Sequence, residues 1–192
     1  MAFFDFIDSL LRGATGTETP VGDTDSVRKI ARLLEGVDPA RARFLGAFAY
    51  LMARVAHADF QVSEAELAKM RTILVKRGGL PAEQAEAVAE LARDQSVHEG
   101  STEDFLVTRE FRRIASREEM LQLLDCLFAL SAAQDTISVV EDNAIRQIAS
   151  ELNLEHHEFI QVRSRYRDQL EIFQKGVNGD VGQNGAETGD AR

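Results

Sequence analysis

One cysteine, three prolines and no tryptophan occur in this chain, and each scarcity excludes something. A lone Cys126 cannot form an intrachain disulfide and fits a reducing compartment. Its setting, Leu123-Leu124-Asp125-Cys126-Leu127-Phe128, reads as a small buried side chain rather than a nucleophile, because no neighbouring base would lower its pKa. The longest uncharged run, Phe44 to Ala53, is closed by Arg43 and Arg54. It is too short for the ~18–20 residues that cross a bilayer, so it is expected to form the most buried helix. No glycine-rich phosphate loop, G-x-S-x-G, H-E-x-x-H or nucleophile–base pair is present. No catalytic residue is nominated, and the chain is expected not to be an enzyme.

Basic charge is also in short supply. A net charge of −10 opposes binding to a phosphate backbone, and no nucleic-acid partner is expected. Two local basic clusters, 109–113 and 163–167, are diluted by carboxylates and read as solvated helix faces. Zinc is disfavoured in the same way, since His57, His98, His156 and His157 have no ligand spacing with Cys126.

What is abundant is helix former: Ala, Leu and Glu throughout, with no sustained apolar–polar alternation. The pattern predicts an all-α fold, a compact bundle of about seven or eight helices. Residues 1–12 place Phe3, Phe6, Ile7 and Leu10 on one face of a helix. No positive region precedes that stretch, and Asp5 and Asp8 interrupt it, which argues against a signal peptide. It is expected either to dock on the body or fray, or to contact a protein partner, with peripheral membrane contact through residues 3–11 as the rival. Residues 13–25 read as a flexible linker, 26–173 as the helical domain, and 174–192, with five glycines and no aromatic residue, as a disordered tail. Within the domain, Asp38-Pro39 starts a helix running to about His57, Gly78-Gly79 stops the next, and Leu80-Pro81 starts another. A single last helix is expected to carry Phe159, Ile160, Tyr166, Leu170 and Phe173.

One stretch occurs twice. Residues 58–66, ADFQVSEAE, and 133–141, AQDTISVVE, align without gaps through Ala58/Ala133, Ser63/Ser138 and Glu66/Glu141. The match continues through Arg71/Arg146 and Ile73/Ile148. Two pseudo-repeated helical hairpins follow from this. Serine three residues before glutamate is a capping box, which accounts for Ser63, Glu66, Ser138 and Glu141 without a ligand; Ser116 and Glu119 form another. The competing reading places a hard divalent cation, Ca²⁺ or Mg²⁺ sooner than Zn²⁺, on Asp59 and Glu66 in the first loop and on Asp135 and Glu141 in the second. The spacing is not that of an EF-hand.

The first copy resembles the A-D-G-x-[IV]-x-x-x-E signature of the tellurite-resistance TerB family, and residues 144–154, AIRQIASELNL, resemble the stretch after that family's second acidic motif. The resemblance covers roughly residues 27–173. It implies an all-helical, internally pseudo-symmetric bundle, an acidic cluster proposed to bind metal, and a cytoplasmic role in tellurite or other stress responses through membrane-associated complexes. Phe60 stands where the family has glycine, and Gln134-Asp135 stands where Asp-Gly is expected. On this resemblance Asp59 and Glu66 are the leading metal candidates, followed by Asp135 and Glu141. The alternative is a metal-free helical interaction module or adaptor.

Overall fold

The structure, a computed structural model, describes residues 39–59, 62–94 and 102–177. The first helix and linker expected from the sequence, and the tail beyond Val177, lie outside the described residues.

Helix α1, Pro39–Ala56, is the axis of the fold. Proline at its first position has its φ already set for a helix and lacks only an N–H that would be unpaired there. From Phe44 to Ala53 the helix is apolar on every side, and Ala47, Leu51, Met52 and Val55 have essentially no exposed surface. A helix apolar all round must be enclosed, and α1 packs against five others. These are α2 (Glu64–Lys76), α3 (Ala82–Asp94), α4 (Thr102–Ile114), α5 (Arg117–Ser131) and α6 (Val139–Glu151). Helix α7, His156–Arg163, packs on α5, and α8, Glu171–Val177, closes the described chain.

The repeat is visible in three dimensions. Helices α2 and α6 are each 13 residues long and follow α1 and α5 across equivalent loops. The hairpins interlock: α1 packs against α5 and α6, while α2 packs against α5. Two aromatic clusters fill the core. Phe44 and Phe48 sit 5.2 and 6.3 Å from Phe111, ring centre to centre, and Phe128 sits 5.9 Å from Phe159 and 5.5 Å from Tyr166.

One buried ion network ties the halves together. Arg54 on α1 is only 9% exposed and donates to both oxygens of Glu151 on α6, at 2.7 and 3.0 Å. It also lies 3.4 Å from Asp104 on α4 and 3.3 Å from the Thr108 hydroxyl. Burial works against the Arg54 charge, and the Glu151 hydrogen bonds with the Asp104 and Glu151 charges outweigh it, so its pKa is raised. Burial likewise pushes the Glu151 carboxyl up, but the Arg54 hydrogen bonds, with Thr108 and the Arg54 charge, bring it below the ordinary glutamate value.

The single last helix expected from the sequence is broken. Residues Ser164–Gln169 form a 3₁₀ segment with Tyr166 at φ −110°, outside helical space. Leu170 is then extended, and its flanks bond Ile137: the Ile137 N–H donates to the Gln169 carbonyl at 2.7 Å, and Glu171 N–H to the Ile137 carbonyl at 3.0 Å. This isolated parallel bridge buries Ile137 and Leu170 together and is not a sheet. Helix α8 then continues to Val177, past residue 173 where the domain was expected to end. No helix among the described residues is long and apolar enough to cross a membrane.

Candidate functional site

The two repeated loops meet where the hairpins interlock. In the first, α1 ends in a turn through His57–Asp59, and Ser63 is extended at φ −80°, ψ 158°. In the second, α5 tightens into the 3₁₀ turn Ala132–Gln134, Asp135 turns left-handed, and Ser138 is extended at φ −66°, ψ 158°. Each serine hydroxyl accepts from the N–H of the glutamate three residues on, and each glutamate accepts from the serine N–H and O–H. In the first loop Glu66 Oε2 lies 2.8 Å from Ser63 N and 2.7 Å from Ser63 Oγ. In the second, Glu141 Oε2 lies 2.9 Å from Ser138 N and 2.8 Å from Ser138 Oγ. Two orphan N–H groups are satisfied at each helix start, and the negative charge suits the helix dipole.

Ser116 and Glu119 build the same box at the start of α5, away from both loops, so the arrangement needs no ligand. Burial sets the loop boxes apart. Glu66 is 2% exposed and Glu141 6%, whereas Glu119 is only half-buried. Burial raises the pKa of the Glu66 carboxyl; the Ser63 donors oppose this, and the charges of Glu141 and Asp59 add to the rise.

The structure places the four candidate ligands unequally. Glu66 and Glu141 are buried caps within electrostatic reach of each other. Asp59 is exposed, and its charge also acts on Glu66. Asp135 is exposed at φ 65°, and its carbonyl accepts from Gln174 at 3.3 Å. The side chain of that loop that reaches across to Glu66 is Gln134, whose Nε2 lies 3.4 Å from Glu66 Oε2. Gln134 aligns with Asp59 in the repeat, a signal that a search restricted to acidic residues passes over.

One other pairing went unread in the sequence. Asp142, beside Glu141, is buried and paired with Arg163 at 2.7 and 2.8 Å, linking α6 to α7. Arg163 is therefore a structural cation rather than part of a solvated basic face. Cys126 is buried, as expected, with its thiol pushed up to about 11 by burial and only partly relieved by Arg77, so it stays protonated at neutral pH. His156 and His157 are exposed.

A sequence model described as Tellurite resistance protein TerB matches residues 45–164, most of the interlocked hairpins. The chain belongs to the TerB family. No curated protein and no solved structure matches it. The all-α bundle with two related hairpins is thus the TerB fold as this chain builds it.

The acidic cluster that the TerB resemblance implies for metal can be tested against these residues. Among the described residues, no three histidines, cysteines, aspartates or glutamates converge as a ligand set. Oε2 of each buried glutamate is already shared by two hydrogen bonds from its own serine, and Glu66 Oε2 takes a third from Gln134. A hard cation gathers six or more oxygens, with one or more carboxylates among carbonyl and water oxygens. The described residues do not bring such a set together. Asp135 occupies the family's glycine position and keeps the left-handed turn, which aspartate tolerates better than most residues. Phe60, at the glycine of the first copy, lies outside the described residues.

Proposed function

We propose that this TerB-family chain is a non-enzymatic stress-response protein, acting in tellurite resistance in the cytoplasm, and that it works as a helical adaptor without a bound cation. The observation that carries the reading is the use of Glu66 and Glu141 as buried helix caps, with an amide rather than an acid beside Glu66. The protein partner is assigned to the end of the domain where α6 begins and α8 lies alongside. There Val139, Val140, Ile172 and Phe173 are exposed, and the Glu171 carboxylate accepts from the Val139 N–H at 3.2 Å. Exposed apolar side chains gathered at one end favour association.

The test pairs calorimetry with complementation. Titration of the purified protein with Ca²⁺, Mg²⁺, Mn²⁺ and Zn²⁺ is expected to give no saturable heat at millimolar cation. In a host lacking the gene, tellurite tolerance is expected to be restored by the wild type and by Asp59→Asn, but not by a folded Val140→Asp/Ile172→Asp variant. Saturable binding lost in Asp59→Asn, with tolerance lost alongside it, would instead establish the rival reading of a cation on Asp59, Glu66, Asp135 and Glu141.

A further inference from the structure

The mismatch between the family's acidic pattern and the residues at this joint has a chemical explanation. Gln134 ends the 3₁₀ turn after α5, and α2 packs directly against that turn. Its Nε2 reaches Glu66 Oε2 at 3.4 Å, a contact between residues 68 positions apart and belonging to different repeats. Glu66 already feels the like charges of Glu141 and Asp59 while buried. An acid at position 134 would set another carboxylate against it, and carboxylates at that distance resist ionising together: either one holds a proton or a cation offsets their repulsion. An amide removes the need: it is neutral, and its N–H groups donate where a cation would otherwise sit.

We propose that Gln134 stands in for a cation in this chain, its side-chain amide joining the second loop to the Glu66 cap of the first so that the two hairpins close without metal. The proposal rests on the metal-independent reading above and assigns that independence to one residue. Gln134 is exposed, so replacing it leaves the core untouched.

The experiment is thermal melting of the full chain and of Gln134→Glu and Gln134→Ala, in chelator and then in millimolar Ca²⁺, Mg²⁺ or Mn²⁺ matched for ionic strength with NaCl. In chelator, Gln134→Glu is expected to melt about 3–6 °C below wild type, with Gln134→Ala between them. The divalent cations are expected to return Gln134→Glu toward wild type while leaving wild type and Gln134→Ala unmoved. A Gln134→Glu variant that melts with or above Gln134→Ala in chelator overturns the proposal, because no carboxylate would then be opposed at that position. So does a destabilised Gln134→Glu that no cation restores while wild type stays unmoved; that result leaves the metal-independent reading standing. A rise in the wild-type melting temperature with cation overturns both.

Discussion

Arg54 offers the most demanding test of how the halves are held. It is buried, and its guanidinium is the shared partner of Glu151 and Asp104, whose side chains are each 14% exposed. Arg54→Met keeps much of the aliphatic volume and removes the charge and its donors. Two carboxylates from α4 and α6 are then left facing each other in a poorly hydrated site. Removing one partner of a buried pair costs about 3–5 kcal/mol, which for a domain of this size corresponds to a melting temperature lower by about 6–20 °C. Arg54→Met/Glu151→Met should recover more than half of that loss, because one stranded charge is gone and Asp104 retains the Tyr50 hydroxyl at 2.8 Å. Urea unfolding followed by circular dichroism reads both variants. A loss below about 1 kcal/mol for the single variant, the range of exposed ion pairs, would refute the claim that this network carries the packing of α1 on α4 and α6.

Two further expectations concern the loop cap and a helix stop. The raised pKa of Glu66 means that its ionised form opposes the fold at neutral pH, and that stability is gained as pH falls through the raised value, fully so below the unfolded one. Glu66→Gln should therefore gain stability relative to wild type as pH rises from about 4 to about 7, read by urea melts across that range; a flat or opposite trend would sink the assignment. At the end of α2, a Cβ on Gly78 would lie 2.4 Å from the Leu74 carbonyl oxygen and 3.2 Å from Leu45, whereas on Gly79, at φ 69°, it would meet only Arg41 Nη2, at 4.0 Å. Because the 2.4 Å contact is with backbone, Gly78→Ala is expected at the upper end of about 1–3 kcal/mol and above Gly79→Ala at about 1–2, despite the ordinary φ at 78; equal losses in chemical denaturation would contradict the contact.

Local chemistry made much of the fold readable. Each of the three serine–glutamate boxes announces a helix start through contacts spanning three residues, and Pro39 and Gly78-Gly79 mark a start and a stop just as locally. The break after Arg163 was hidden because its cause is remote: Leu170 leaves the helix to pair with Ile137, and nothing near Tyr166 signals it. The pairings of Arg54 with Glu151 and Arg163 with Asp142 were hidden for the same reason, since charge type is visible in a sequence but partner choice is set by packing. At the joint, the glutamates were legible as caps, and Asp135 drew attention as the acid of its loop. The residue that reaches Glu66 is its neutral neighbour, because a helix tightening into a 3₁₀ turn presents Gln134 to α2 and leaves Asp135 in solvent.

The enclosure of α1 also sets a schedule for synthesis. Its partner Glu151 lies 97 residues after Arg54 in the chain. At about 5–20 residues per second, α1 emerges from a ribosome roughly 5–20 seconds before the helix that completes its surroundings. During that interval Leu51, Met52 and Val55, which end with no exposed surface, have only part of their final cover. The nascent chain therefore passes through a stage with an apolar helix open to solvent, when a holding chaperone has most to offer and a second nascent copy is most dangerous.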